Sequence, residues 1–243
     1  MKGIILAGGT GSRLAPLTKI TNKHLLPVFN QPMIYYPVKA MANAGIKDIM
    51  IVTGGNHAGE FLRLLGNGRE FGLDDIAYAY QERAGGIAEA LGLAEHFANK
   101  EKIVVMLGDN IIEKNILKSV NEFKRQKKGG RILLKEVQNP SAYGVPVFNK
   151  NKIINIEEKP KKPKSNFAVI GIYMYPPDVF DIIKTLKPSG RGELEITDVN
   201  NSYIRKKQME HSILEGWWED AGENIEQYVK TSNIVAQFGA NKI

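Results

Sequence analysis

Cysteine is absent from the chain, and this absence excludes disulfide bonds, a thiolate nucleophile and an iron–sulfur centre. A chain without cysteine is also compatible with a reducing cytoplasm, which is the expected location. Histidine is scarce. The four histidines, His24, His57, His96 and His211, lack the paired spacing of metal ligands, so a zinc site is not expected.

Long apolar runs are missing as well. No segment approaches the length of a membrane-spanning helix. The apolar stretch after Lys2 is only a few residues long and ends in glycines and Arg13, unlike the core of a signal peptide. The sequence therefore predicts neither export nor a membrane partner.

The composition is that of a folded, basic protein. A chain of 243 residues with 43% hydrophobic content can bury a large core and fits one α/β domain. The formal net charge of +7 favours anionic partners. The basic runs at 124–128 and 159–164 are short and match no nucleic-acid-binding module, so they indicate solvated surface, and no nucleic-acid partner is expected.

Apolar, β-branched segments alternate with helical patterns along the chain. The predicted strands are residues 4–7, 48–53, 76–80, 103–107, 132–137, 153–160 and 167–175. The predicted helices are residues 33–44, 60–65, 87–97, 179–186 and 225–238. This order predicts an α/β fold with a Rossmann-like, mixed but mostly parallel sheet flanked by helices. Ligands are then expected at the carboxyl ends of the strands.

A glycine-rich turn follows the first strand. Gly8, Gly9 and Gly11 allow the backbone to turn sharply and to expose N–H groups toward an anion, and Arg13 adds a guanidinium group for phosphate oxygens. A Walker A loop is excluded because no Gly-Lys-Ser or Gly-Lys-Thr follows. The dinucleotide pattern is excluded because Leu14 occupies the place of its third glycine. A tight turn without a ligand remains the alternative.

Polar residues end three of the apolar segments. Gln81 could read the edge of a pyrimidine beside the Gly86 backbone, or it could be an ordinary loop residue. Asp109 and Asp220 could meet at one divalent cation, or each could cap a helix. Neither aspartate has a basic residue near it in sequence, so Asn at either position is expected to leave stability almost unchanged.

The second half of the chain contributes charged residues of its own. Glu158 could accept hydrogen bonds from sugar hydroxyls while Lys159 attracts a phosphate, although the two could also form an exposed charge pair. Arg191 stands between glycines, where it could reach a phosphate or simply form a basic loop tip.

The string Leu-Ala-Gly-Gly-x-Gly-x-Arg-Leu at residues 6–14, followed by Lys-x-Leu-Leu-Pro at 23–27, resembles the signature of the sugar-1-phosphate nucleotidyltransferases. Within that family the chain is most similar to the short glucose-1-phosphate thymidylyltransferases. The further motifs occur in the family's order and are Gln81, Asp109, Tyr143-Gly144, Glu158-Lys159, Arg191 and Asp220. Two departures, Pro146-Val147 and Ala221, remove no reacting group, although Pro146 lacks a backbone N–H and so disfavours strand pairing there.

The resemblance implies a role for each matching residue. Nucleotide binding is expected from Leu6, Gly8, Gly9, Gly11, Arg13, Lys23, Gln81 and Gly86. Sugar-phosphate binding is expected from Tyr143, Gly144, Glu158, Lys159, Val169 and Arg191. Asp109 and Asp220 are expected to hold Mg²⁺. The implied catalytic set is Arg13, Lys23, Asp109, Lys159, Arg191 and Asp220.

The implied reaction transfers a thymidylyl group from dTTP to α-D-glucose 1-phosphate, giving dTDP-glucose and pyrophosphate for polysaccharide biosynthesis. The alternatives are the same reaction with UTP, another sugar-1-phosphate nucleotidyltransferase, and a non-catalytic sugar-nucleotide-binding regulatory subunit. A homo-oligomer is expected. The fold is expected to be of the nucleotide-diphospho-sugar transferase type, with a nucleotide-binding lobe at about 1–130 and a sugar-phosphate-binding lobe at about 131–243.

Overall fold

A mixed β-sheet runs through the molecule with helices on both of its faces. The structure, a computed structural model, describes residues 1–55 and 57–243 with their side chains and residue 56 by its backbone. The strands are β1 (Lys2–Ala7), β2 (Pro27–Val28), β3 (Gln31–Pro32), β4 (Asp48–Gly54), β5 (Asp75–Gln81), β6 (Ile103–Leu107), β7 (Asn110–Ile112), β8 (Gly130–Glu136), β9 (Gly144–Asn149), β10 (Lys152–Glu158), β11 (Phe167–Tyr175), β12 (Met209–Ile213) and β13 (Trp218–Asp220). The helices are α1 (Tyr35–Asn43), α2 (Ala58–Leu65), α3 (Ile87–Gly92), α4 (Glu95–Ala98), α5 (Leu117–Arg125), α6 (Val179–Thr185), α7 (Ile196–Arg205) and α8 (Ile225–Phe238).

The strand order of the sheet is β10-β9-β11-β6-β1-β4-β5, with β8 on β11 and β12 on β8. β1 pairs in parallel with β4 and β6, and β4 pairs in parallel with β5. β11 runs antiparallel to β6, β8 and β9 and so joins the first half of the chain to the second. The expected Rossmann-like mixed sheet flanked by helices is confirmed, and its parallel strands end together at one edge.

Both faces of the sheet are buried, which explains why its parallel strands read as continuous apolar runs. On β1, Ile4 belongs to a core that includes Leu91 of α3, and Ile5 belongs to a core on the opposite face that includes Met41 of α1. Both isoleucines are fully buried. Helices packed on both faces therefore hold the sheet in place. The loops that carry the polar side chains begin at one edge of this sheet.

Some elements differ from the sequence-based expectation. The helix predicted at 87–97 is divided into α3 and α4 around Leu93, and Gly92 accounts for the break because glycine is a poor helix former. The helices α5 and α7 and the short strands β7 and β12 were not predicted. Pro146 does pair with Ile156 of β10. It is tolerated because β9 meets β11 only at Gly144.

The short strands β7 and β13 form an antiparallel ribbon beside the main sheet, and this ribbon places Asp220 opposite Asn110. The final helix, α8, is capped at its N-terminus by Asn224, whose side chain accepts a hydrogen bond from the backbone N–H of Gln227. Among the described residues, no helix combines the length and hydrophobicity needed to cross a lipid bilayer.

Candidate active site

A cleft of about 380 Å³ opens at the carboxyl-terminal edge of the parallel strands. This is the edge at which the sequence predicted ligand binding. The cleft is lined by Leu6, Gly8, Gly9, Arg13, Lys23, Gln81, Gly86, Asp109, Tyr143, Gly144, Glu158, Lys159, Val169, Arg191 and Asp220 among others. The structure thus brings together every residue expected at the site except Gly11, which lies outside the lining.

The glycine-rich turn carries β1 into the cleft. Gly9 and Gly11 have φ angles of 94° and 64°, a region that favours glycine over other residues. The carbonyl of Gly11 accepts hydrogen bonds from the backbone of Leu14 at 2.9 Å and the hydroxyl of Thr18 at 2.9 Å. Gly11 therefore shapes the turn rather than lining the cleft. The short 3-10 helix after it, Ser12–Leu14, presents the exposed Arg13.

The two aspartates meet although they are far apart in the chain. Asp109 follows β6 and Asp220 ends β13, and the β7–β13 ribbon holds the two segments together. The backbone N–H of Ala221 donates to the carbonyl of Asp109 at 3.0 Å. The expected meeting of the two carboxylates in one cleft is thus observed, and the alternative of two separate helix caps does not describe their placement.

Lys23 forms an ion pair with Asp109 in the folded chain, although no basic residue is near either aspartate in sequence. Its Nζ is 2.5 Å from Oδ2 of Asp109, and both side chains are at most 13% exposed. A Cβ on Gly222 would lie 2.5 Å from the same carboxylate oxygen and 2.7 Å from Nζ of Lys23. Only glycine allows the chain to cover this ion pair so closely.

Burial and mutual charge set the protonation of this group. Burial opposes ionisation of Asp109, but Lys23 outweighs it and holds the pKa of Asp109 below its ordinary value. Burial, and then the charge of Asp109, raise the pKa of Asp220 to about 7. Burial opposes the charge on Lys23, yet the two aspartates leave its pKa raised. The site therefore has one carboxylate more than its lysine can neutralise.

This excess of negative charge fits a bound divalent cation. Carboxylate oxygens are hard ligands, and Mg²⁺ is commonly held by one or two carboxylates together with substrate phosphates. Within the described part of the chain, no cluster of three or more His, Cys, Asp or Glu side chains is placed to hold a metal. The pair Asp109 and Asp220 fits a metal that completes its coordination with a phosphate-bearing ligand.

Gln81 is the last residue of β5 and is buried at one end of the cleft. Its side-chain N–H group donates to the carbonyl of Gly86 at 3.3 Å and to Glu89 at 3.2 Å. Gly86 has a φ of 99°, and a Cβ there would lie 2.5 Å from the carbonyl oxygen of Leu194. A glycine is thus required where this loop meets the segment that precedes α7.

The opposite end of the cleft is built from the second half of the chain. Gly144 pairs with Glu158 of β10 and with Val169 of β11, so all three lie side by side. Oε2 of Glu158 accepts a hydrogen bond from the Thr197 hydroxyl at 2.6 Å. The backbone N–H of Lys159 donates to the carbonyl of Tyr143 at 3.0 Å, and the lysine side chain is exposed at the rim of the cleft.

Arg191 lines the cleft but is not free. Its guanidinium donates to both carboxylate oxygens of Glu195 at 2.9 Å, and Glu193 and Glu158 lie at 3.7 and 3.8 Å. Burial opposes its charge, but Glu195 and the other acids raise the pKa of Arg191 overall. Any anion that binds Arg191 has to share or replace these carboxylates.

Comparison with known proteins decides the family. The family model described as nucleotidyl transferase matches residues 2–237. The chain belongs to the nucleotidyl transferase family. It is 43% identical over 225 residues to a glucose-1-phosphate thymidylyltransferase from an Actinoplanes species, covering 91% of this chain and 74% of that protein.

Two solved structures have the same fold as this nucleotidyl transferase. A Bacillus anthracis protein, assigned as a glucose-1-phosphate thymidylyltransferase and crystallised with sucrose, is 52% identical with a TM-score of 0.92, covering 96% of this chain and 94% of that one. A UDP-glucose pyrophosphorylase in complex with UDP-glucose is 26% identical with a TM-score of 0.84, covering 97% of this chain and 98% of that one. The predicted nucleotide-diphospho-sugar transferase fold is thereby confirmed.

The structure of this nucleotidyl transferase also shows cleft residues that sequence reasoning missed. Asn110 lines the cleft, where it donates to Asp109 at 3.2 Å and accepts from the indole N–H of Trp218 at 2.6 Å. Its position in Gly-Asp-Asn, directly after an apolar strand, could have identified it from the sequence. Tyr173 and Thr197 also line the cleft. They lie inside a strand and a helix, where no sequence pattern separates them from core residues.

Proposed function

We propose that the enzyme transfers a thymidylyl group from dTTP to α-D-glucose 1-phosphate and releases pyrophosphate. The supporting observation is that one cleft joins a glycine-rich loop, the carboxylates of Asp109 and Asp220 with a lysine, and a buried Gln81. The relatives named glucose-1-phosphate thymidylyltransferase give the substrates their identity.

In this proposal the first half of the chain binds the nucleotide. The backbone of Gly8 and Gly9 faces the triphosphate, Arg13 and Lys23 neutralise its charge, and Gln81 with Gly86 reads the thymine edge. Backbone N–H groups in a glycine turn and guanidinium groups are both suited to phosphate oxygens. Lys23 can serve the phosphates only by sharing its charge with Asp109, to which it is paired in the free enzyme.

The second half of the chain binds glucose 1-phosphate. The sugar hydroxyls form hydrogen bonds with Glu158, Gly144 and Val169, which lie side by side on neighbouring strands. Lys159 and Arg191 take the phosphate, and Arg191 exchanges part of its contact with Glu195 for the phosphate oxygens. The sugar and the phosphate are thus each held by a separate set of residues, and this fixes the position of the attacking phosphate oxygen.

The reaction is a single displacement. A phosphate oxygen of glucose 1-phosphate forms a bond to the α-phosphorus of dTTP, and the bond from that phosphorus to the bridging oxygen breaks. Pyrophosphate leaves with the electron pair. The attacking phosphate oxygen is already ionised, so neither a protein nucleophile nor a general base is needed. The enzyme contributes orientation and charge neutralisation through Arg13, Lys23, Lys159 and Arg191.

The aspartates are proposed to hold Mg²⁺. When bound, the cation supplies positive charge against the triphosphate oxygens as negative charge shifts to the leaving pyrophosphate. Asp109 and Asp220 would hold it from the protein side, and its charge would offset the burial and the repulsion by Asp109 that raise the pKa of Asp220. Lys23 keeps Asp109 ionised and in position before the substrate binds.

UTP is the second candidate substrate. The structural likeness to a UDP-glucose pyrophosphorylase favours it, and a single methyl group distinguishes thymine from uracil. Burial of one methyl group is worth about 1 kcal/mol, so only a modest preference is expected from it. The higher identity to thymidylyltransferases supports dTTP as the main substrate.

A pyrophosphate-release assay with glucose 1-phosphate and each of dTTP, UTP, CTP, ATP and GTP tests the proposal. We expect dTTP to give the highest kcat/KM, UTP to be within about tenfold of it, and the other nucleotides to be far weaker. Omitting glucose 1-phosphate is the control and should abolish release. Preference for a purine nucleotide, or release without the sugar phosphate, would contradict the proposal.

A further inference from the structure

The amide of Gln81 is held in one orientation by two acceptors. Its Nε2 lies 3.3 Å from the carbonyl oxygen of Gly86 and 3.2 Å from Oε1 of Glu89. A carbonyl and a carboxylate accept hydrogen bonds and donate none, so the group facing them has to be the NH₂ end of the amide. Both of its protons are thereby used inside the protein.

Glu89 is itself fixed in place. Its other carboxylate oxygen accepts hydrogen bonds from Nε and a terminal nitrogen of Arg83, at 3.2 and 2.9 Å. A Cβ at Gly85 would overlap the Glu89 carboxyl group, so the missing side chain of Gly85 provides the space that this carboxyl occupies. Glu89 is 21% exposed and Arg83 is 83% exposed, so the carboxylate lies between the solvent and Gln81.

The carbonyl end of Gln81 is left for a ligand. Its Oε1 lies 3.0 Å from the position that a Cβ would take on Gly8, in the glycine loop that lines the cleft. We infer that Glu89 locks the Gln81 amide with its acceptor toward the cleft and thereby selects pyrimidines that carry a proton on N3. The inference rests on the proposed function, because it places the base of the nucleotide beside Gln81.

The selection follows from the hydrogen-bonding edge of the base. Thymine and uracil present an N–H donor at N3, which a fixed acceptor can receive. Cytosine has a lone pair at N3, which would face the lone pairs of Gln81 Oε1. Turning the amide to suit cytosine would direct Oε1 at the Glu89 carboxylate and the Gly86 carbonyl, and both of these partly buried acceptors would lose the hydrogen bond from Gln81 and face its lone pairs instead. Glu89 is thus a positioning residue for specificity and need not touch the substrate.

The variant Glu89→Gln tests the lock, because a glutamine at this position can either donate or accept and no longer dictates the Gln81 orientation. We expect the ratio of kcat/KM for dTTP to that for dCTP to fall about tenfold, the value of one hydrogen bond of roughly 1.4 kcal/mol. Glu82→Gln is the matched control. It removes the same charge from the loop that precedes α3, and Glu82 is exposed and makes no side-chain hydrogen bond or ion pair with any described residue.

Two further variants separate positioning from other roles. Glu89→Ala also removes the acceptor, so it should lower the dTTP to dCTP ratio even if Glu89→Gln folds poorly. In a Gln81→Ala background, Glu89→Gln should leave the ratio unchanged, because it acts only through Gln81. An unchanged ratio in Glu89→Gln and Glu89→Ala, or a full effect of Glu89→Gln without Gln81, would overturn the inference.

Calorimetric binding of dTTP and dCTP to each variant keeps this test apart from the proposed function. Tighter binding of dTTP by the wild-type protein, lost in Glu89→Gln, supports the lock even if no dTDP-glucose is formed. Formation of dTDP-glucose with an unchanged binding preference in Glu89→Gln would instead reject the lock and leave the proposed function standing. Equal binding of dTTP and dCTP by the wild-type protein would also reject the lock.

Discussion

Lys23 determines how the two aspartates of the cleft differ. It forms its ion pair with Asp109, while Asp220 is left with a raised pKa because of burial and the neighbouring carboxylate. The same substitution, Asp to Asn, therefore has opposite consequences for stability at the two positions. Both substitutions remove a charge that the proposed metal needs, so both should abolish most of the activity.

Asp109→Asn should cost both turnover and stability. Turnover should fall by orders of magnitude, as expected for the loss of a metal ligand. The free energy of unfolding should fall by about 2 kcal/mol, because the buried Lys23 loses its direct partner and keeps only the more distant Asp220. This replaces the sequence-based expectation of unchanged stability. Urea denaturation at pH 8 with chelator measures it, and full wild-type stability would contradict the role given to the ion pair.

Asp220→Asn should make the metal-free protein less sensitive to pH. The pKa of Asp220 is raised from 3.8 to about 7, so the folded state binds more protons than the unfolded state between those values. Stability of the wild-type protein therefore falls as pH rises from about 4 to 7 through this group, and the variant should lack that fall. At pH 8 with chelator the variant should be more stable by roughly 1–3 kcal/mol, after allowance for the partly exposed carboxyl.

Asp74→Asn is the control for this measurement, since it removes an exposed aspartate outside the cleft. Its pH profile should match the wild-type profile. Adding Mg²⁺ should stabilise the wild-type protein and not Asp220→Asn. Parallel pH profiles for Asp220→Asn and the wild-type protein would contradict the raised pKa of Asp220.

At the scale of elements, the loops after β1 and before α7 are proposed to bind different substrates. Arg13→Ala should raise the KM for dTTP, and Arg191→Ala should raise the KM for glucose 1-phosphate, each by about 10- to 100-fold for a charge-assisted hydrogen bond. Initial rates with each substrate varied in turn separate the two effects. The effect of Arg191→Ala should be the smaller, because Arg191 gives up contacts with Glu195 on binding. Changes confined to the dTTP response in both variants would contradict this division.

Local sequence patterns predicted many of these elements well. The strand at 167–175 and the helix at 225–238 have the expected bounds, because continuous apolar runs and an amphipathic pattern depend on near neighbours. The break between α3 and α4 was missed. The short apolar strand that ends at Asp220 was expected, but its partner β7 and the ribbon that they form were not. A three-residue strand has no periodicity of its own and forms only because the distant strand is there to pair with it.

The sequence identified residues of the candidate site, but not the contacts between them. Gln81, Asp109 and Asp220 were singled out because each ends an apolar segment and matches a motif of the family, and parallel strands bring the ends of the first two segments to one edge. The partners of these residues were not found. Lys23 lies 86 residues before Asp109, and Glu89 approaches Gln81 only because of the turn at Gly85 and Gly86. Such pairings depend on tertiary structure and leave no periodic signal.

At the scale of the whole molecule, a single sheet connects the two ends of the cleft. β11 pairs with β6, one of the parallel strands of the first half of the chain, and with β8 and β9 of the second half. A backbone hydrogen bond of 2.8 Å from Leu194 to Gly85 also joins the loop of Arg191 to the loop beside Gln81. The division into lobes at about residue 130 stays a prediction, and so does the homo-oligomer, which light scattering after size-exclusion chromatography would test.

The most direct test of the central claim follows the α-phosphorus of the nucleotide. The protein is incubated with Mg²⁺, glucose 1-phosphate and dTTP labelled at the α-phosphorus, and the products are separated by chromatography. We predict that the label appears in dTDP-glucose, with one unlabelled pyrophosphate released per labelled product and no label on the protein. Label retained in dTTP, released as dTMP, or bound covalently to the protein would contradict a direct transfer to glucose 1-phosphate.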